Sequence, residues 1–186
     1  WENKEIIMID DNSTDNSYEL VKESNYKDQI LIIRNKENSG PGYSRNKILE
    51  LAKGDFICFM DDDDYSHPER ITKQIKAIYD AGYPKRKYII STCDILRKYK
   101  SGYIKRFSSM GTFGRYPNGN ELADFLLFNS IKKGVDYGFA CPTSSMLGTK
   151  ESFSLVGNFD NTLRRVEDMD ICIRLSIKGA LFVSAK

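Results

Sequence analysis

Phe56-Ile57-Cys58-Phe59-Met60-Asp61-Asp62-Asp63-Asp64 is the stretch that decides the fold. Five apolar residues in a row predict a strand buried on both faces. Four carboxylates follow with no spacer. Four negative charges in one loop repel one another and weaken the fold unless something neutralises them. Hard divalent cations such as Mg²⁺ and Mn²⁺ take carboxylate oxygens. A solvated acidic turn is the plainer alternative. In open α/β sheets, however, ligands bind beyond the carboxyl ends of the strands. The loop directly after this strand is therefore the first candidate for a site.

Upstream, Glu5-Ile6-Ile7-Met8-Ile9 predicts a second buried strand, again tipped with acids, Asp10 and Asp11. Asn16 with Glu19 has the spacing of a capping box and opens a helix to about Ser24. Residues 30–34 predict a third strand. Pro41 suits the start of the next helix, and Gly54 its end. After the acid run, Ser66 and Glu69 repeat the capping-box spacing. Ile71, Ile75 and Ile78 mark one apolar face of a helix closed at Gly82. Residues 88–92 predict another strand. Strands alternating with helices in this way predict a mostly parallel sheet.

The second half reads differently. Residues 97–99 and 103–107, joined at Ser101-Gly102, predict an exposed hairpin. Asn120 is placed to cap a helix that buries Leu122, Phe125 and Leu126. Residues 140–147 predict a strand and 151–155 a short helix ending at Gly157. Residues 167–178 predict a helix with Met169, Ile173 and Ile177 on one face and Gly179 at its end. Residues 181–183 predict a last strand. No linker or repeat interrupts the 186 residues, which suit one domain.

Composition narrows the class. Apolar content of 40% and charged content of 29% describe a globular protein. The net charge of +2 points to no polyanionic partner. No apolar run approaches a membrane span, and the first residues carry no leader pattern. Cys58, Cys93, Cys141 and Cys172 lie far apart, so reduced thiols in a cytoplasmic protein are expected. A zinc site is not, because the ligand spacing is missing and there is a single histidine. That residue, His67, reads as structural. Lys85, Arg86, Lys87, Arg97, Lys98 and Lys100, with Lys105 and Arg106, give a basic segment over 85–106. Such a run is usually a solvated face. It could also dock an anionic acceptor or a membrane surface.

Several motifs now stand in order. They are Ile7–Asp15, Gly40-Pro41-Gly42-Tyr43-Ser44-Arg45-Asn46, Phe59–Asp64, Gly157-Asn158-Phe159-Asp160 and Glu167-Asp168-Met169-Asp170. Together they resemble the nucleotide-sugar-dependent glycosyltransferases of family 2. The resemblance implies a GT-A fold: a Rossmann-like, mostly parallel central sheet flanked by helices, with a small antiparallel hairpin. It implies that Asp11 contacts the pyrimidine base of the donor and that Arg45 lies near the nucleotide. Asp61 and Asp62 would face the ribose and the metal, with Asp61 and Asp63 as ligands of Mn²⁺ or Mg²⁺. Asp168 would be the general base. It implies a single catalytic domain over 1–186, its nucleotide-sugar half at 1–95 and its acceptor half at 96–186. A saccharide or lipid-linked acceptor follows from the same resemblance, and the basic segment over 85–106 adds the expectation of a place at the inner face of the membrane. The family's first strand would precede Trp1, so the chain is expected to be cut short at both ends.

The chemistry fits these residue types. A nucleoside diphosphate leaves readily only when its charge is neutralised. The anomeric carbon develops oxocarbenium-like charge, and the acceptor hydroxyl must lose its proton as it attacks. A carboxylate opposite the leaving group serves that need, giving one displacement with inversion. For Asp168 the simpler reading is a helix cap, since acids are favoured in a first turn. The rival enzyme is a haloacid-dehalogenase-like phosphatase, which also places Asp-x-Asp after an apolar strand. That family wants Thr or Val where Tyr65 stands, and wants the motif on the first strand. A nucleotide-sugar-binding relic without transfer is the non-enzyme rival.

Overall fold

A computed structural model of the chain describes residues 3–139 and 141–185. In chain order the elements are β1 (Ile6–Asp10), α1 (Ser17–Glu23), β2 (Ile30–Arg34), α2 (Pro41–Leu51), β3 (Phe56–Cys58), α3 (Arg70–Asp80) and β4 (Ile89–Thr92). There follow β5 (Ile95–Lys98), β6 (Ile104–Phe107), α4 (Glu121–Phe128), β7 (Leu147–Thr149), α5 (Lys150–Leu155), α6 (Glu167–Ile177) and β8 (Leu181–Ser184). The alternation of the first half is the one that the hydrophobic runs predict.

β1 and β2 pair in parallel, with Asp10 directly opposite Arg34. The central sheet has the order β3-β7-β4-β8. β3 and β4 both run antiparallel to β7, and β8 runs parallel to β4. Three of the four strands therefore point one way, and β7 alone is reversed between them. Gly148 permits that insertion. A side chain there would meet Ile90 Cδ1 at 2.5 Å and Phe153 at 3.0 Å. The main core lies between this sheet and α2, α4, α5 and α6, around Phe59, Met146, Phe153 and Phe182. Ile75, Ile78, Ile89 and Val183 form a smaller one under α3.

Five expectations change. β3 ends at Cys58, and Met60 is exposed. The chain opposite it has already left the strand as a 3₁₀ turn over Thr143–Ser145. The strand expected over 140–147 is thus this turn followed by β7, and Ala140 lies outside the described residues. β1 is half-buried rather than buried, because among the described residues it pairs only with β2. Neither capping box forms: Asp15 takes the Ser17 amide, and His67 Nδ1 takes the Glu69 amide. Gly54 does not end α2; the Glu5 carboxylate accepts the Lys53 and Gly54 amides there.

The inner face of α6 also differs. Ile171, Cys172 and Leu175 are buried, while Met169 and Ile177 are 39% and 55% exposed. This helix carries apolar residues on two stripes about 200° apart. Spacing alone could not choose between them. Ser176 decides it, bonding the Ala123 amide and the Gly119 carbonyl at the start of α4.

Candidate active site at the acid-tipped strand ends

α2 is the element around which the site is arranged. Gly40, at φ 89°, turns the chain into it, and Pro41 opens its first turn. Three successive residues then reach three different neighbours, since each helical step rotates the side chain by about 100°. Ser44 Oγ accepts from Asn35 Nδ2 at 3.1 Å. Arg45 is bound to Glu167 and lies 3.5 Å from Asp61. Asn46 accepts the Phe159 amide at 2.8 Å, donates to its carbonyl at 2.8 Å, and donates to Asn161 at 2.6 Å.

Asp10 and Asp11 have different tasks. Asp10 is buried, with Arg34 Nε at 3.1 Å from its Oδ2. It closes the β1–β2 pair and is structural. Asp11 points to the loop before α2. It accepts from Asn35 Nδ2 at 2.7 Å, from the Ser39 amide at 2.9 Å and from the Gly40 amide at 2.7 Å. Burial pushes its carboxyl up, but these bonds and one from Ser44 outweigh it and hold it below the ordinary carboxylate value. A carboxylate has about four lone-pair sites. With Ser44 counted, all four are engaged inside the protein, so a ligand group at Asp11 must displace or share one of these bonds. Asn12 completes the turn at φ 62°, a conformation that Asn tolerates well.

The acid loop sits at the carboxyl end of β3. Asp61 is half-buried beside Arg45; Asp62, Asp63 and Asp64 are exposed. Among the described residues the carboxylates of these last three have no hydrogen bond or ion pair. Nor do three His, Cys, Asp or Glu side chains converge to hold a metal among the described residues. Two carboxylates are nonetheless a suitable protein share for Mg²⁺ or Mn²⁺, which are commonly bound through one or two carboxylates plus substrate phosphates. Asp61 and Asp63 fit that pattern. Arg70 fixes the base of the loop by donating to the Phe59 carbonyl at 3.0 Å.

Glu167 and Asp168 form the first turn of α6. Val166 precedes them at φ 60°, ψ 17°, a rare conformation for a β-branched residue and a source of local strain. Glu167 is buried against Arg45, whose guanidinium also lies 5.7 Å from the Phe159 ring. Asp168 is half-buried, and its Oδ1 accepts the Met169 amide at 2.8 Å. Burial, reinforced by the neighbouring Glu167 charge, raises its carboxyl above the ordinary range, against the pull of the Met169 amide and Arg45. Asp170 instead pairs with Arg174, which also holds the Val156 and Asn158 carbonyls.

Thus Asp61 and the Glu167-Asp168 turn meet at Arg45, with Asp11 one helix turn away at the start of α2. Asp62 and Asp63 stand on the same loop but touch none of these residues. His67 is occupied with the start of α3. The basic segment is divided: Lys85, Arg86 and Lys87 precede β4, and the hairpin residues follow it. The sequence reading missed Asn35, Asn46 and Glu167. Asn35 stands just past β2 as Asp11 stands just past β1, and that parallel was its only signal. A cleft of about 600 Å³ opens at the other edge of the sheet, where β8 begins, lined by Arg86, Arg115, Glu121 and Leu181. Arg115 is tied there to Glu121 by bonds of 2.6 and 2.8 Å. None of Asp11, Asp61–Asp64, Glu167 and Asp168 lines it, so chemistry rather than concavity locates the site.

Comparison with known proteins gives the family and the fold. Residues 1–130 match glycosyl transferase family 2. The chain belongs to that family. The amylovoran biosynthesis glycosyltransferase AmsB of Erwinia amylovora is 28% identical over 190 residues, covering 98% of this chain and 58% of AmsB. WfaP of Escherichia coli is named as a UDP-Glc:alpha-D-GlcNAc-diphosphoundecaprenol beta-1,3-glucosyltransferase. It is 32% identical over 122 residues, 64% of this chain and 43% of that protein. The chain therefore spans about half the length of these relatives. Among solved structures, residues 1–349 of S. aureus TarS in complex with UDP superpose with a TM-score of 0.65 at 18% identity, covering 97% of this chain and 48% of that one. The mannosyltransferase PcManGT from Pyrobaculum calidifontis, with GDP-Man and Mn²⁺, gives 0.61 at 14% identity, covering 97% and 45%. These two likenesses establish the GT-A fold. Family membership removes the phosphatase alternative.

Proposed function

We propose that this protein transfers a sugar from a uridine diphosphate donor to a hydroxyl of a saccharide carried on a lipid, with inversion, in the synthesis of a surface polysaccharide or glycoconjugate. The observation that carries this reading is the position of Arg45. It joins the loop of carboxylates suited to a metal-bound diphosphate with the turn bearing a carboxylate of raised affinity for protons. The names of WfaP and TarS, which join UDP-glucose or UDP to proteins of this fold, support the choice of nucleotide.

The geometry supports the following roles. Asp11 accepts an N–H of the base in place of the Ser44 bond, while its bonds to Asn35, Ser39 and Gly40 keep the loop before α2 in place. Asp62 is free to accept from ribose hydroxyls. A divalent cation held by Asp61 and Asp63 would supply Lewis-acid stabilisation of the departing diphosphate. Asp168 accepts the acceptor's proton while the acceptor oxygen bonds to the anomeric carbon. The bond from that carbon to the diphosphate oxygen breaks in the same displacement. Glu167, neutralised by Arg45, keeps its own charge from raising Asp168 further.

Thermal melting with UDP tests the assignment. At a hundred times its dissociation constant, a ligand stabilises by about 2.7 kcal/mol. For a chain of this size that corresponds to a rise of roughly 5–10 °C. We expect the rise with UDP and Mn²⁺ together and little with UDP and EDTA. An equal rise in EDTA refutes the metal. A rise with GDP but not UDP refutes the uridine, and no rise with any nucleotide refutes donor binding.

A further inference from the structure

We infer that the β5–β6 hairpin is a docking element for an anionic lipid surface. Residues 95–107 carry five basic side chains, Arg97, Lys98, Lys100, Lys105 and Arg106, and no acid. Among the described residues only Arg106 is compensated, by Asp94 at 2.6 Å. The register sets Arg97 directly opposite Lys105. Like charges facing each other across a ladder destabilise it. The two cations share the Phe107 ring, at 5.5 and 4.9 Å, which offsets only part of that repulsion. Alternation sets this pair on the face opposite Leu96 and Ile104, and the long cationic side chains reach past the ribbon to an anionic surface, which removes the remainder.

The same ribbon is apolar where a solvated hairpin would be polar. Leu96, Tyr103 and Ile104 are 66%, 62% and 55% exposed. Leu96 faces Arg106 and Ile104 faces Lys98, so apolar and basic side chains share one face. Tyr99 and Tyr103 lie together near the tip, with ring centres 5.7 Å apart. A soluble polyanion needs only the charges. A bilayer surface takes both, the cations at its headgroups and the aliphatic and tyrosine side chains at the boundary below. β5 and β6 pair with no other strand among the described residues. An isolated two-stranded ribbon is marginal in water, and contact with lipid supplies the missing burial.

The place of the hairpin gives this a use. It leaves the carboxyl end of β4, the sheet edge that also carries Asp61–Asp64 at the end of β3. Docking through it brings that edge to the membrane, where a lipid-carried acceptor resides. The inference goes beyond the transfer chemistry. Its test reads binding alone, so its failure leaves the donor-site reading intact.

The test is co-sedimentation of the whole chain with vesicles. We expect binding to mixed phosphatidylcholine–phosphatidylglycerol vesicles and none to phosphatidylcholine alone. Lys98→Gln with Lys100→Gln and Lys105→Gln should weaken binding about a hundredfold, since each basic residue near such a surface contributes about fivefold. The same charge loss elsewhere, Lys22→Gln with Lys73→Gln and Lys76→Gln, should leave it nearly unchanged. Leu96→Ser with Ile104→Ser should weaken vesicle binding but not binding to heparin. Melting curves confirm that each variant is folded. No binding to anionic vesicles overturns the proposal. So does equal weakening by the distant lysines. Heparin binding with vesicle binding indifferent to Leu96 and Ile104 overturns it in favour of a soluble polyanion.

Discussion

Asp168 is held between opposing influences, and its behaviour with pH follows from them. Burial and Glu167 raise its carboxyl above the ordinary value of 3.8; the Met169 amide and Arg45 lower it. The folded chain therefore binds this proton more tightly than the unfolded chain. That costs no stability below the ordinary value and an increasing amount as pH rises through the raised one. Transfer needs the anion, so the rate should fall as pH drops through the same raised value. Arg45→Gln removes the cation that opposes the shift and leaves Glu167 uncompensated. The acid limb of kcat/KM should then move to higher pH, and an unmoved limb would show that Arg45 does not act on Asp168. Asp168→Asn should cut transfer by at least about a hundredfold, the lower range for general base catalysis, with UDP affinity retained. Asp170→Asn is the control. It loses the Arg174 pair, which holds carbonyls of 156 and 158, so stability should suffer and transfer should not. Wild-type transfer by Asp168→Asn would leave Asp168 only a helix-end residue.

At the scale of elements, α2 works as a connector. Asn46 alone satisfies both backbone groups of the buried Phe159, which sits between the core and the site. Asn46→Ala leaves a buried amide and carbonyl without partners, at a cost of about 1–3 kcal/mol. Melting should fall by roughly 2–4 °C for each kcal/mol, and Asn46→Asp, which keeps an acceptor for the amide, should fall less. An unchanged melting temperature would mean that the 157–160 turn is held by something else. The positions of α2, α3 and α4 were legible from Pro41, from the spacing of Ile71, Ile75 and Ile78, and from Asn120. The caps of α1 and α2 were not. A carboxylate one position earlier, Asp15, outcompeted Asn16, and a glutamate far upstream, Glu5, replaced Gly54. The inner face of α6 was illegible for a related reason: two apolar stripes were available, and a contact with α4 selected one. Local signals place an element; its partners decide how it is turned and finished.

For the whole molecule, the acid tips and their order along the chain sufficed to recognise the fold. The reversal of β7 between β3 and β4 was not legible, because pairing over such distances leaves no local periodicity. That same separation has a consequence in time. Asp11 finds the Gly40 amide across 29 positions, whereas Asn46 finds Phe159 across 113 and Arg45 finds Glu167 across 122. Closing the longer loops costs about 1 kcal/mol more in chain entropy, and contacts that distant form late in folding. During refolding the loop that holds Asp11 should therefore become native first, with the segment bearing Asp168 arriving afterwards. Pulse-labelling hydrogen exchange can follow two single amides, Gly40 and Phe159. Gly40 should gain protection in an earlier phase than Phe159, and simultaneous protection would show that both halves of the site close in one step.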